Sequence, residues 1–205
     1  IGVSDDSNAI FFNPAGLARS KGLTLTFSNA GSFVAAQAYP TGFGLTLGLA
    51  LINSQLNGAT IGTSKINYYS NILLLSFGTR LSFAKKIAKW DFWDRLDFGM
   101  NYKNILNMSF SETGEPDRNA DGWNIDAGLL YRFNDWIKLG LVNENILSGS
   151  SRGSGGAIVW NDGSQEVTPS ALKLGASFKI IGDVKTPIYM KDNEFVLSTD
   201  LDLSQ

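Results

Sequence analysis

Apolar and polar residues alternate along much of this chain. Residues 124–133 show the pattern clearly, because Ile125, Ala127, Leu129, Tyr131 and Phe133 alternate with positions that include Asn124, Asp126, Gly128 and Arg132. A period of two is the pattern of a strand with one apolar and one polar face. The same split recurs in residues 43–51, 73–83, 96–103, 171–180 and 195–203, with shorter candidates at 23–28, 33–39 and 136–147. The pattern predicts about nine strands, most of them near the length that crosses a bilayer at a tilt.

The connections between these strands alternate in length. Residues 40–42 and 134–135 are predicted tight turns, whereas 53–65, 111–121 and 149–168 are predicted loops rich in Gly, Ser, Asn and Asp. Short turns at one end and longer loops at the other are typical of outer-membrane barrels.

Mid-strand glycines indicate which face is covered. By parity they fall on the polar face at Gly44, Gly48, Gly78, Gly99, Gly128, Gly140 and Gly175. On an outer surface such glycines would only weaken the strands, but on a concave inner wall they allow curvature and let another segment pack against the backbone. We therefore expect a polar interior and a lipid-facing apolar exterior. The alternative is a soluble ligand-carrying barrel, whose interior is apolar.

Composition narrows the classes of function. A length of 205 residues suits one domain. The balance of 17 basic and 19 acidic residues predicts no nucleic-acid partner. The absence of Cys and His excludes disulfides, thiolate chemistry and nucleophiles activated by His. We expect no enzyme, and we expect the polar-face carboxylates to hydrate a lumen rather than act as a glycosidase pair; these are Asp97, Asp126, Glu144, Asp200 and Asp202.

The stretch SDDSNAIFFNPAGLA, residues 4–18, does not follow the alternation. Pro14 fixes its own φ and biases Asn13 toward an extended conformation. Pro14 is then suited to the first position of a short helical turn that Asn13 caps. Because this segment precedes a chain of strands, residues 1–20 are the candidate to fill a polar lumen.

The same stretch resembles the N-terminal signature of the FadL-like outer-membrane barrels, which include long-chain fatty-acid transporters and the PorV-type barrels of the type IX secretion system. The matching positions are Asp5, Asp6, Ala9, Phe12, Asn13, Pro14, Ala15, Gly16 and Leu17. In the transporters this segment forms a hatch inside the barrel. The resemblance implies a location in the outer membrane of a Gram-negative bacterium, with outer-membrane lipid as a partner.

The resulting fold prediction is an all-β, antiparallel transmembrane β-barrel in a single domain, residues 1–205. Residues 1–20 are the plug segment and residues 21–205 the barrel strands. We expect 12–14 strands when the barrel is complete, and we expect this chain to lack a signal peptide and one or more C-terminal strands.

The leading functional prediction is transport of hydrophobic or small molecules across the outer membrane. The modest, polar loops favour a second interpretation, a plugged PorV-like barrel that binds other envelope or secreted proteins without conduction. A soluble ligand-carrying barrel is the third.

The predicted site joins the plug motif to the lumen wall. The plug residues are Asp5, Asp6, Phe12, Asn13, Pro14, Ala15 and Gly16, and the lumen-facing residues are Arg80, Asp97, Lys103, Asp126 and Arg132. We expect Asp5 and Asp6 to bind wall cations. The alternative is a capped turn that closes one end of the barrel and has no ligand role.

Two further segments are candidates for binding a ligand or a lipid surface. Asp117, Asn119 and Asp121 have the spacing of the start of a calcium loop, but position twelve is Gly128 instead of Glu, so a solvated loop is favoured. No other cofactor is expected.

Residues 84–96, AKKIAKWDFWDRL, fit an amphipathic interfacial helix, with Lys85, Lys86 and Lys89 beside Ile87, Trp90 and Trp93. A charged turn flanked by tryptophans is slightly preferred there.

Overall fold

A computed structural model describes residues 8–20, 22–28, 33–38, 44–62, 64–149, 155–182 and 185–203. The predictions for Asp5, Asp6 and the turn at 40–42 lie outside these residues. The chain begins with a short helix, α1 (Ala9–Phe12), and a 3-10 helix (Pro14–Arg19), and strands make up most of the other described residues. Residues 8–20 are called the N-terminal segment below.

Twelve strands are present in the described part of the chain. They are β1 (Thr24–Ser28), β2 (Phe33–Ala38), β3 (Leu45–Ile61), β4 (Ser64–Arg80), β5 (Leu96–Glu112), β6 (Arg118–Arg132), β7 (Ile137–Glu144), β8 (Ala157–Trp160), β9 (Gln165–Val167), β10 (Ala171–Gly182), β11 (Ile188–Tyr189) and β12 (Phe195–Asp202). Three short helices connect β4 to β5: a 3-10 helix (Leu81–Ala84), α2 (Lys85–Ala88) and a 3-10 helix (Asp91–Arg95).

All twelve strands join one mixed sheet. Its main path is antiparallel and runs in chain order from β1 to β7, then to β10 and β12. These strands correspond to the nine that the alternation predicts. The hairpin of β8 and β9 attaches to β6, and β11 makes a short parallel pairing with the end of β10. Within the described residues the sheet is not closed into a barrel.

Several predicted boundaries are wrong. The predicted loop 53–65 belongs almost entirely to a long hairpin, since β3 and β4 each contain 17 residues. Its polar residues still pair across the strands, as Asn53 Nδ2 does when it donates to Asn71 Oδ1 at 2.7 Å. Alternation fades there because polar residues occupy both faces, whereas the backbone ladder does not depend on side-chain polarity.

The other predicted loops are also shorter than expected, or contain strands. The loop 111–121 is reduced to the stretch between β5 and β6, and the loop 149–168 includes β8 and β9. The strand predicted at 73–83 ends at Arg80. Gly44 is not in a strand: it precedes β3 with a φ of +65°.

The tight turn at residues 134–135 is confirmed. The Asn134 side-chain oxygen accepts hydrogen bonds from the backbone N–H groups of Trp136 at 3.0 Å and Ile137 at 2.7 Å. This local bonding stabilises the turn between β6 and β7, in the way expected for Asn at such positions.

The main buried apolar cluster lies between the N-terminal segment and the sheet. Ile10 and Leu17 are fully buried there against Ala50 and Leu74 of β3 and β4. A second cluster forms where β8 covers the sheet, with Trp160 packed among Ile105, Met108 and Ala120. The sheet is therefore covered on one face, and the covering elements position the candidate site.

Candidate functional site

The N-terminal segment contains a turn that its sequence predicts. Asn13 is extended (φ −158°, ψ 103°), and its side-chain oxygen accepts a hydrogen bond from the Ala15 N–H at 3.1 Å. Pro14 occupies the first turn of the 3-10 helix, where its missing N–H costs nothing. The predicted cap and helical turn are thus confirmed.

This turn is buried against the sheet. Asn13, Pro14, Ala15, Gly16, Leu17 and Ala18 are all buried, whereas Phe12 is 56% exposed. The Asn13 Nδ2 group also donates to the Leu129 carbonyl oxygen at 3.1 Å, a contact between residues 116 positions apart. The plug-motif residues 13–16 therefore share one location, on the strands β3 to β6.

The face that receives the segment is the one carrying Thr46, Gly48, Ser76, Gly78, Gly99, Asn101, Asp126 and Gly128, called the polar face below. Gly78, Gly99 and Gly128 are direct cross-strand neighbours on β4, β5 and β6. A Cβ atom at Gly99 would overlap the Pro14 carbonyl group and the Ala15 nitrogen, and one at Gly128 would overlap Asn13 Oδ1. The expectation that these glycines let a segment approach the backbone is confirmed.

Two more polar-face glycines have the same role. A Cβ atom at Gly78 would lie 2.7 Å from the Ala18 nitrogen, and one at Gly48 would lie 2.8 Å from Ile10 Cδ1. Four strands thus each contribute one glycine to the surface under the segment. Side chains at Gly78 and Gly99 would meet the backbone of the segment and hold it away from the sheet, whereas at Gly48 and Gly128 the nearest atoms belong to the Ile10 and Asn13 side chains.

Asp97 lies at the centre of an ion cluster with two arginines. Its carboxylate has no exposed side-chain area, and it accepts hydrogen bonds from Arg19 Nε at 3.0 and 3.1 Å and from Arg132 Nε and a terminal nitrogen of Arg132 at 3.2 Å. Arg19 also donates to the Asp94 carbonyl oxygen at 3.0 Å. A buried carboxylate needs such partners because its desolvation is costly. The Arg19–Asp97–Arg132 cluster therefore ties the end of the N-terminal segment to β5 and β6.

A second polar network holds the start of the segment. Asn101 Nδ2 donates to the Ile10 carbonyl oxygen at 2.8 Å, and Asn101 Oδ1 accepts from Ser76 Oγ at 2.7 Å. Next to it, Lys103 Nζ lies 2.7 Å from Asp126 Oδ1, which also accepts the Asn145 N–H at 2.9 Å. Together these contacts use polar-face residues of β4, β5 and β6.

The predicted wall residues thus separate into two groups. Asp97, Lys103, Asp126 and Arg132 lie on the polar face and bind partners there, whereas Arg80 is exposed at the end of β4. Sequence reasoning missed Arg19 and Asn101, which connect the segment to the wall. Arg19 directly follows the NPAGLA motif, and Asn101 alternates with apolar neighbours. Neither residue belongs to a local pattern that predicts a contact between the segment and the wall.

The cleft beside the Arg19–Asp97–Arg132 cluster has a volume of about 390 Å³. It is polar, with lining residues Arg19, Asp94, Arg95, Arg132, Asn134, Asp135, Lys138 and Lys185. It opens at the end of the sheet that carries the β4–β5 and β6–β7 connections.

The calcium candidate falls partly in a strand. Asp117 is exposed before β6, whereas Asn119 and Asp121 lie within β6. Asn119 pairs with Ser109 and Asp121 with Val159 in the ladder. Among the described residues no group of three or more acidic side chains is arranged to hold a metal ion. The calcium site stays a prediction.

The other face of the sheet is apolar, and many of its described leucines are exposed. It is called the apolar face below. One cross-strand row on it runs over seven strands through Leu45, Thr79, Phe98, Leu129, Leu141, Leu174 and Leu201. Leu47, Leu75 and Leu197 on this face are about half exposed, at 54%, 48% and 54%. A shallow groove of about 330 Å³ crosses it beside Leu47, Leu75, Met100 and Tyr102.

The connection between β4 and β5 carries the residues predicted as an interfacial helix. Instead of one helix it forms three short helical turns, and Lys89 has the left-handed φ of 53°. Lys85 Nζ binds Asp91 at 2.7 Å and Asp94 at 2.5 Å. The hydrogen bond from Lys85 holds the pKa of Asp91 below its ordinary value, and the same bonds raise the pKa of Lys85.

Comparisons with known proteins give no relative. No protein-family model matches the chain, and neither the curated proteins nor the solved structures contain a match. Among the described residues no helix is long and apolar enough to span a membrane.

Proposed function

We propose that this chain is an integral β-barrel protein of the bacterial outer membrane, similar to the FadL-like superfamily, in which the N-terminal segment plugs a polar lumen. Its function is to pass hydrophobic or small molecules across the membrane. The barrel has 12–14 strands when complete, the polar face lines the lumen, and the chain performs no enzymatic reaction.

The observation that carries this proposal is the distribution of apolar side chains between the two faces. The apolar face exposes large side chains on β3, β4, β5, β7, β10 and β12, while the opposite face buries polar groups under the N-terminal segment. Water-soluble proteins rarely expose a continuous apolar surface of this extent. In a bilayer the same surface is buried in hydrocarbon, and the polar face with its ion pairs is kept away from lipid.

A soluble ligand-carrying barrel has the opposite requirement, since its apolar face must be the covered one. Here the covering segment packs Ile10 and Leu17 on Ala50 and Leu74, and its other contacts on this face are with glycines, Asn101 and Asp97. The distribution of burial therefore favours the membrane proposal over the soluble one.

A second candidate function is a plugged barrel that binds envelope or secreted proteins and does not conduct. It is favoured by the close packing of Pro14 on Gly99 and of Asn13 on Gly128, which leaves no gap between segment and wall at these residues. The Arg19–Asp97–Arg132 cluster further fixes the segment.

The membrane proposal is tested by detergent dependence and by electrophoretic mobility. We expect the protein to stay monodisperse only in detergent or lipid, and to migrate differently before and after heating in dodecyl sulfate. A protein that is monodisperse without detergent, with unchanged mobility after heating, would contradict insertion.

The two candidate functions are separated by conductance in planar bilayers. Transport predicts that deleting residues 1–20 increases single-channel conductance and that Arg19→Gln raises the frequency of opening. The matched control is Arg118→Gln, a cation outside the segment contacts. A deletion variant that inserts but conducts no more than the intact protein would favour the binding function.

A further inference from the structure

The connection between β4 and β5, residues 81–95, exposes large apolar side chains. Ile87 is 84% exposed, Trp90 69% and Phe83 57%. They are more exposed than most leucines of the apolar face, although they belong to a connection at the end of the sheet. Tryptophan and isoleucine in water at these positions have an unfavourable hydration free energy that some environment must offset.

Ion pairs connect the helical turns that carry these side chains. Lys85 lies in α2 and binds Asp91 and Asp94 of the following 3-10 helix, so the two helical turns are clamped together across Lys89. Asp94 lies beside the N-terminal segment as well, because its carbonyl oxygen accepts from Arg19. The exposed apolar residues therefore belong to a loop that contacts both itself and the N-terminal segment.

Cations lie next to these apolar residues. Lys85 forms ion pairs with two carboxylates. The Lys86 and Lys89 side chains are exposed, and these residues flank Ile87 in the sequence. Exposed apolar side chains flanked by lysines are the composition of a segment that lies in a lipid headgroup layer, where lysines reach phosphates and tryptophan rings lie at the boundary.

The 81–95 segment also continues the apolar face. The Phe92 ring stacks on Tyr131 of β6 with centroids 5.0 Å apart, and Trp93 packs edge-on against Phe92 at 5.5 Å. Tyr131 pairs in the ladder with Leu139, which is 44% exposed. The row of aromatic rings thus joins the segment to the surface assigned to lipid above.

We propose that the 81–95 segment is a docking site for anionic lipid headgroups, with Ile87 and Trp90 inserted at the bilayer boundary and Lys86 and Lys89 against the lipid phosphates. The inference rests on the proposed membrane function. It adds a lipid preference and a location, namely the membrane boundary at the end of the sheet where β4 ends and β5 begins. Two lysines near an anionic surface correspond to a preference of roughly ten- to thirty-fold over neutral lipid.

A single-thiol labelling experiment tests the location. The chain has no cysteine, so Ile87→Cys and Leu75→Cys each create a unique labelling position. Each variant, in nanodiscs, carries a fluorophore and is exposed to lipids with a nitroxide in the headgroup or deep in the acyl chain. We expect the headgroup nitroxide to quench the label at position 87 most strongly, and the deep nitroxide to quench the label at position 75.

The two labels separate failure of the inference from failure of the proposed function. If the label at position 75 is quenched and the label at 87 stays in water, the membrane proposal stands and the headgroup inference is overturned. If neither label is quenched, both are overturned. If a partner protein instead of lipid covers this segment, the label at position 75 is quenched and the label at position 87 is not.

The lipid preference is tested with nitroxide lipids of different charge. The ratio of quenching at position 87 by a phosphatidylglycerol nitroxide and a phosphatidylcholine nitroxide reports enrichment of anionic lipid. We expect Lys86→Gln with Lys89→Gln to bring this ratio close to one. The control, Lys65→Gln with Lys191→Gln, removes two exposed lysines elsewhere and should leave it unchanged. Equal quenching by both lipids in the unsubstituted background, or equal effects of the two double variants, would overturn the preference.

Discussion

The Arg19 guanidinium and the Asp97 carboxylate lie 3.0 Å apart, although 78 positions separate them in the sequence. This contact joins the end of the N-terminal segment to the start of β5. Because Asp97 has no exposed side-chain area, both of its arginine partners act on a fully desolvated charge. Asp97 therefore joins the end of the segment to both β5 and β6.

Replacing Asp97 should therefore be costly. In Asp97→Asn the Arg19 and Arg132 guanidiniums lose the negative charge between them, and we expect the free energy of unfolding to fall by about 3–5 kcal/mol. Urea titration in detergent measures it. Lys185→Gln, which breaks an exposed pair with Asp135, is the control and should change stability by about 1 kcal/mol or less. Equal losses in the two variants would mean that the buried cluster has no special role.

Adding one methyl group under the segment should displace it. In Gly99→Ala the new Cβ overlaps the Pro14 and Ala15 backbone, and we expect about 1–3 kcal/mol of destabilisation, with faster proteolysis within residues 8–20. Ala127→Val adds volume to the apolar face of β6 and should leave proteolysis of the segment unchanged. Unaltered cleavage in Gly99→Ala would show that the close approach is not needed to hold the segment.

Asn13 makes two bonds that substitutions can separate. Asn13→Ala removes the cap on Ala15 and the donor to the Leu129 carbonyl, and we expect a loss of about 1–2 kcal/mol. Asn13→Ser keeps a capping oxygen and should lose less. Thermal melting of both variants in the same detergent gives the comparison, and an Asn13→Ser protein as unstable as Asn13→Ala would assign the whole effect to the Leu129 contact.

A charge on the apolar face tests its environment. At a position in the hydrocarbon layer Leu75→Arg should reduce the stability of the folded protein in vesicles by about 2–4 kcal/mol. Val167→Arg places the same charge on the exposed β9 strand outside the main path and should have little effect. If Leu75→Arg leaves folding in vesicles unchanged, the apolar face does not lie in lipid.

The Lys85 clamp predicts a pH dependence of the 81–95 segment. The pKa of Asp91 in the folded protein lies below its ordinary value because Lys85 donates a hydrogen bond to it. Its contribution to stability is therefore present above the unfolded pKa of about 3.9 and is lost as the pH falls through the folded value. Carboxylate NMR titration should show the Asp91 pKa returning upward in Lys85→Gln, while the pKa of Asp162, which is lowered by hydrogen bonds from Ser164, stays unchanged.

Local chemistry explains why part of the site could be predicted. The Asn13–Pro14 cap depends on neighbouring residues only, and it forms as the sequence predicts. Parity alone places Gly78, Gly99 and Gly128 on the polar face, since alternate residues of a strand point to opposite faces. The roles of Arg19 and Asn101 could not be found in this way, because their partners lie on other elements.

The sequence predicts the nine strands of the main path and the residues of each that share a face, because a period of two follows from the geometry of a single strand. Only the tertiary structure decided how far the polar ends of β3 and β4 continue, since backbone pairing persists where side-chain alternation fades. It also decided that Arg19 meets Asp97 and that Pro14 rests on Gly99. Those contacts depend on the register of four adjacent strands and on the path of a segment that no local pattern specifies.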